Sequence, residues 1–273
     1  MSKDREQYTM GYGPAATGIM AVRSAQSHAA FFLTQLKPGM TVLDCGCGPG
    51  TITIGFAEIV APGQVVGTEI EESQVALARQ NAAQRNISNA RFEVADIYAL
   101  PFEPGSFDAV FISAVLGNLR EPVRGLREAY RVLKPGGVIG VKEFDHGGDL
   151  YYPMAPALKQ YNDCYLRLRS ENGHDPESGR KIGSLLLDAG FHSVEMSARY
   201  ESMADRKLLH AVAEAFAGLL SEGWGEAFKD RGWVTAEEIR DMSDAWSKFS
   251  DTPGSFYAGA WCEAVAHKVR STG

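Results

Sequence analysis

The ten residues VLDCGCGPGT, Val42 to Thr51, restrict this 273-residue chain more than any other stretch. A short apolar run from Thr41 to Asp44 ends in an acid, and glycines then fall at positions 46, 48 and 50. Such a run reads as a strand feeding a tight turn and then a helix, which brings backbone N–H groups and a helix N-terminus against a ligand. The chain around it keeps the same alternation. Strands are expected at Gln64–Glu69, Ala90–Ala95, Phe107–Ser113, Val138–Glu143, His192–Ala198 and Ser255–Lys268. Helices are expected at 15–36, Thr51–Val60, Ser73–Arg85, Arg120–Leu133 and Ser178–Ala189, most of them closed by Gly or Pro-Gly turns. Short apolar strands alternating with helices predict an α/β fold with a parallel sheet covered on both faces.

Two stretches escape the pattern. Residues 144–177 hold a Gly-Gly pair, Tyr151 and Tyr152, and a helical piece near Ala155–Ser170. Residues 200–254 are mainly helical, with interruptions and three of the four tryptophans. With the N-terminal segment 1–36 they are expected to form a cover over the core 37–143, which is completed by 178–199 and 255–273. The whole chain, 1–273, then reads as one domain of ordinary size.

Composition narrows the function classes. Against 27 basic residues stand 34 acidic ones, a formal charge of −7. An acidic surface repels phosphate backbones, so no nucleic-acid partner is expected. The first ten residues lack an apolar stretch of the kind that targets a secreted chain, and no run of 18 apolar residues suits a membrane. Four cysteines (45, 47, 164, 262) lack the spacing of a disulfide framework, which fits a reducing cytoplasm. Cys45 and Cys47 have no second pair at zinc-site spacing, so no metal is expected and both are read as small buried side chains. The oligomeric state is left open, with a homodimer among the alternatives.

The loop's details separate its possible ligands. Asp44 stands where a dinucleotide's pyrophosphate would have to approach, and like charges repel. The dinucleotide fingerprint also needs a glycine where Thr51 stands, and no Lys-Ser or Lys-Thr pair follows as a P-loop requires. A ligand with an ammonium group, a sulfonium and no phosphate suits an acid there. Glu69 closes the next strand, where a carboxylate can accept ribose hydroxyls; a nicotinamide enzyme would have an acid there too.

VLDCGCGPGT, the acid-ended strand GTEI (67–70), VADIYALPFEPGSFDAVFIS (94–113) and REAYRVLKPGG (127–137) follow one another in an order that resembles the class I S-adenosylmethionine (SAM)-dependent methyltransferases. The likeness is to the small-molecule members of quinone and natural-product biosynthesis. It covers residues 41–143 best and extends more thinly over GRKIGSLLLDAGF, 179–191. It implies a Rossmann-like, seven-stranded, mostly parallel sheet with a helical cover, and transfer of a methyl group from SAM to an O, N or C atom of a small organic molecule. Asp44, Gly46, Cys47, Gly48, Gly50 and Thr51 would then hold the methionine part. Glu69 and Ile70 would take the ribose, Ala95, Asp96 and Ile97 the adenine, and Ser113 the wall nearby, while an N-terminal aromatic such as Tyr12 would close over the cofactor. The family often has two histidines after the fourth strand; here the segment reads VLGNL, 115–119. A base at that point is therefore missing, which keeps alternatives in view: a fold member that binds SAM without methylating, and a nicotinamide oxidoreductase.

The remaining candidates follow from position. His146 and Asp145 come just after the fifth strand, at the sheet end where ligands bind, and are the candidate bases. Tyr8, Tyr151, Tyr152 and Asn118 are candidates for the acceptor's pocket. His28 is read as facing the site or packing, His174 as a solvated turn residue, and Trp224, Trp233 and Trp246 as the core of the cover.

Overall fold

The computed structural model describes residues 8–203 and 205–270. The outermost parts of the expected segments, 1–7 and 271–273, and Ala204 lie outside the described residues.

The chain begins with helices α1 (Pro14–Ala21), α2 (Ala25–His28) and α3 (Ala30–Leu33). One helix was expected here. The apolar spacing is helical, but Ser24 restarts the chain: its hydroxyl accepts from the Ser27 N–H, and the Ser27 hydroxyl accepts from the Ser24 N–H, a reciprocal cap. The core follows as β1 (Thr41–Cys45), α4 (Thr51–Val60), β2 (Gln64–Glu69), α5 (Glu72–Gln84), β3 (Ala90–Val94), β4 (Phe107–Ser113), α6 (Pro122–Val132) and β5 (Leu133–Phe144). Then come β6 (Leu150–Tyr152), α7 (Pro156–Glu171), α8 (Ile182–Asp188), β7 (His192–Ser202), α9 (Arg206–Leu219), α10 (Gly225–Asp230), α11 (Ala236–Asp251) and β8 (Phe256–His267).

The strands form one sheet in the order β3-β2-β1-β4-β5-β8-β6, with β7 also paired to β8. β1 to β5 run parallel and β8 is antiparallel to its neighbours. All seven expected strands are present. The addition is β6, three residues that pair with Phe256–Ala258. A Gly-Gly hinge and two tyrosines gave no alternation from which so short a strand could be read.

Side-chain alternation explains why the central strands are apolar throughout. Val42, Val65 and Phe111 pack to one face with Phe32 and Phe56, while Leu43, Val66 and Val110 pack to the other with α6 and α8. Gly140 of β5 lets the Phe32 ring lie against the strand, because a Cβ there would collide with that ring. The other helices, α7 and α9 to α11, build a separate apolar cluster around Tyr161, Trp224, Phe228 and Trp246. The chain order reverses between β1 and β4. That switch point opens a crevice at the strands' C-terminal ends, where ligands bind in such sheets.

Candidate active site

Two cavities of about 470 Å³ each occupy that crevice. The first lies over β1, β2 and β4. Asp44, Gly46, Cys47, Gly48 and Thr51 line it from the glycine loop, and Glu69 and Ile70 from the end of β2. Ala95, Asp96 and Ile97 line it beyond β3, Ser113 at the end of β4, and Tyr12 from the N-terminal side. Gly50 does not line it. It caps α4 with a left-handed φ of +76°, and a Cβ there would stand 2.8 Å from Ala78 Cβ and 2.9 Å from the Phe92 ring, so its smallness serves packing behind the loop. Gly46 serves the cavity side: φ is +74°, and a Cβ would collide with Val115 from the β4 loop.

The acids are set differently. Asp44 is buried and accepts the Thr53 hydroxyl at 2.6 Å. Burial pushes its pKa up to about 7, with Thr53 opposing and Glu69 adding to the rise. Glu69 accepts from the backbone N–H groups of Ile70 (2.7 Å), Gly48 (3.2 Å) and Glu71 (3.2 Å), so it fastens the glycine loop to β2. Burial raises its pKa and those three donors restrain the rise. Asp96 accepts from the Tyr98 N–H at 2.8 Å.

The second cavity lies between the sheet end and the cover. Tyr8, Arg23, Ala114 and Asn118 line both cavities and so form their common wall. His146 and Tyr151 line the second cavity. Tyr152 does not. It is 70% exposed, because alternation along β6 turns it away from Tyr151, which stacks on Tyr257 at 4.8 Å. Asp145 is likewise displaced from its expected place. Its carboxylate turns away from both cavities and accepts from the Arg180 backbone N–H (2.9 Å) and the Arg180 Nε (2.8 Å). Burial works to raise its pKa, but the Arg180 bonds outweigh it and hold the group below the usual range. A carboxylate so held is a poor base.

His146 is oriented on both sides. Nδ1 lies 2.9 Å from Asp149 Oδ2, and Nε2 lies 3.2 Å from the Tyr165 hydroxyl. Arg169 Nη1 donates to the same hydroxyl at 3.2 Å. The Asp149 carboxylate can only accept, so His146 Nδ1 carries the hydrogen that faces it. In the neutral ring Nε2 is then the acceptor, and the Tyr165 hydroxyl donates to it while accepting from Arg169. Arg169 Nη2 also donates to Asn118 Oδ1 (3.0 Å) and the Gly117 carbonyl (3.1 Å), while the Asn118 amide donates to the Ala114 carbonyl (2.8 Å). Asn118 therefore belongs to the common wall as a structural link, with both ends engaged.

His28 faces the site as well. Its Nδ1 lies 2.7 Å from Glu201 Oε1 and its Nε2 2.9 Å from the Ser113 hydroxyl. Burial lowers its pKa to about 4 against the pull of Glu201, so the ring is neutral near pH 7. Burial disfavours the charge on Glu201, yet bonds from His28 and Lys142 hold its pKa down at about 2. His174, expected in solvent, is buried with Nδ1 2.7 Å from the Thr9 hydroxyl. Tyr165, Arg169 and Asp149 escaped the sequence reading. The available signal was Arg169, a cation on the apolar face that Leu158, Tyr161 and Tyr165 mark along α7.

A crevice at the switch point of a 3-2-1-4-5 sheet is where such folds bind ligands, and the acids that line this one disfavour a phosphate chain. A family model described as a methyltransferase domain matches residues 36–190, more than half of the chain. An uncharacterized methyltransferase of Schizosaccharomyces pombe is 30% identical over 272 residues, covering 94% of this chain and 96% of that one. The ubiquinone/menaquinone biosynthesis C-methyltransferase UbiE of Citrobacter koseri is 33% identical over 178 residues, 59% of this chain and 69% of the other. The solved YcgJ protein of Bacillus subtilis shares the fold with a TM-score of 0.60 at 18% identity, over 89% of this chain and 98% of that one. The chain belongs to the class I SAM-dependent methyltransferases. It is an enzyme of that family, and its cofactor is SAM.

Proposed function

We propose that this enzyme methylates a small, ring-bearing organic molecule held in the second cavity. One observation carries the proposal: a chamber of about 470 Å³, walled by Tyr151, Tyr161, Phe216, Trp224, Trp246 and Trp261, shares Tyr8, Arg23, Ala114 and Asn118 with the acid-lined chamber. Aromatic walls suit a flat apolar body. The printed name of the UbiE relative, which refers to quinone biosynthesis, agrees with a ring compound. The free cysteines at 45, 47, 164 and 262 accord with a cytoplasmic setting.

The residues of the first chamber fit SAM. Three acids, Asp44, Glu69 and Asp96, offer acceptors for an ammonium, for ribose hydroxyls and for the adenine amino group, and a phosphate would be repelled by all three. Gly46 lets the loop pack against Val115, where a Cβ would collide with that side chain. Bound there, SAM supplies a methyl group on a sulfonium, an electrophile already activated. The chain's residues then have to align a nucleophile and exclude water. Tyr8 stands between the chambers. Burial pushes its pKa up to about 12, so it remains a neutral phenol whose bulk shapes the passage.

Two measurements test this reading. Titration calorimetry should show S-adenosylhomocysteine binding with no comparable heat from NAD. Labelled SAM incubated with a panel of small ring compounds, bulk RNA and protein extract should label only members of the first. Label confined to RNA or protein would defeat the proposal.

A further inference from the structure

We propose that the methyl acceptor binds as an oxyanion, a phenolate or enolate, at Arg169 in the second cavity, and that Tyr165 and His146 take the proton. This rests on the reading of that cavity as the acceptor's chamber.

Arg169 is 1% exposed and lines the chamber. Its Nη atoms are engaged, its Nε has no hydrogen-bond partner, and it forms no ion pair among the described residues. Its guanidinium lies 4.2 Å from the centroid of the Phe144 ring. A buried guanidinium with no direct ion pair and an unpartnered Nε–H is costly to leave so, and an anionic ligand would relieve that cost. The nearby acids are committed elsewhere. Asp149 is engaged by His146 and by the Ala260 N–H (2.7 Å), and Glu201 by His28 and Lys142 (2.8 Å). Glu143, whose charge Arg169 feels, accepts from the N–H groups of Val115, Leu116 and Gly117. Burial keeps Tyr8 a neutral phenol.

A second observation points the same way. Trp246 also lines the chamber, and its buried Nε1 has no partner among the described residues. Arg169 Nε and Trp246 Nε1 are both donors. Among the described residues, no buried side-chain acceptor lining this chamber is left without a partner. A complementary ligand therefore presents oxygen, and beside Arg169 the oxygen is anionic. Arg169 also bonds to Asn118, part of the wall shared with the cofactor's chamber, so the oxyanion sits next to the passage.

The proton has a route. An acceptor O–H breaks, its proton passes to Tyr165 Oη, and the Tyr165 proton passes to His146 Nε2. A neutral hydroxyl and a neutral imidazole become an oxyanion and an imidazolium. The oxyanion then faces Arg169 and the imidazolium faces Asp149, so neither charge is left alone. His146 is 17% exposed, enough to return the proton to water.

The intact protein tests this with 4-nitrophenol as the probe and 4-nitroanisole as its neutral counterpart, both with saturating S-adenosylhomocysteine. The phenolate absorbance should show bound 4-nitrophenol ionised roughly tenfold more readily than free, as expected of an oxyanion beside a cation. It should bind at least about tenfold more tightly than 4-nitroanisole. Arg169→Gln should abolish both effects and Arg169→Lys should retain them. Equal binding of the two probes by the unaltered protein, or a shift that survives Arg169→Gln, would overturn the proposal; the first comparison decides even if the variant fails to fold. Methyl transfer to neutral ring compounds without any phenolate preference would leave the proposed function standing and remove this inference alone. Failure to bind S-adenosylhomocysteine would remove the function instead.

Discussion

At the scale of single residues, the site depends on how each acid is housed. Asp44 binds its proton more tightly in the folded chain than in the unfolded one, since burial lifts its pKa from 3.8 to about 7. Stability is therefore lost as pH climbs through that window, where the unfolded chain has released the proton and the folded chain still holds it. Asp44→Asn removes this loss. The variant should be more stable than the parent at pH 8 by about 2–4 kcal/mol in denaturant unfolding, and the gap should close near pH 4. The same variant should bind S-adenosylhomocysteine about tenfold or more weakly, because a charge-assisted bond is gone. Asp145 behaves in the opposite way. Asp145→Asn loses most of its hold on Arg180 and should cost about 1–3 kcal/mol in denaturant unfolding, with kcat changed less than about threefold. His146→Gln should show the reverse pattern, a fall in kcat of about a hundredfold with little change in stability, since general-base contributions are of that order.

At the scale of elements, the glycine turn is the tightest constraint. Gly46→Ala places a methyl group against Val115 in a left-handed backbone conformation. It should destabilise the protein by about 1–2 kcal/mol or more, and calorimetry should show S-adenosylhomocysteine binding lost before the fold is. The core elements were legible for a local reason. Val42-Leu43, Val65-Val66 and Val110-Phe111 are apolar on both faces, and turns such as Ala61-Pro62-Gly63 separate them. The first cavity was legible because Asp44, Glu69 and Asp96 each sit at or just after a strand end. The second was less so. Tyr165 reaches His146 from α7, and Arg169 reaches Asn118 from the same helix, contacts between segments far apart in the chain. Asp145 and His146 are neighbours in sequence and alike as candidate bases, yet the turn after β5 sends one to Arg180 and the other into the chamber. No local pattern distinguishes them.

At the scale of the whole molecule, the N-terminal segment ties the two cover insertions, 144–177 and 200–254, to each other through Thr9. Its hydroxyl meets His174 Nδ1 (2.7 Å) and accepts from Asn172 Nδ2 (2.9 Å), while its carbonyl accepts the Trp224 indole N–H at 2.8 Å. Thr9→Val keeps the shape and removes the hydroxyl's bonds. It should raise the Kd for S-adenosylhomocysteine by roughly 5- to 30-fold, the worth of one or two such bonds, and leave the unfolding of the sheet core unchanged in hydrogen exchange.

The wall that Tyr8, Arg23, Ala114 and Asn118 give to both chambers also has a consequence in time. Two rooms that share a partition cannot be furnished independently. Whatever settles against one side of Tyr8 sets the contour of the other, so an ordered sequence is expected, with the donor bound first and the spent donor released last. Initial-rate lines should then intersect rather than run parallel, and S-adenosylhomocysteine should compete with SAM but not with the acceptor.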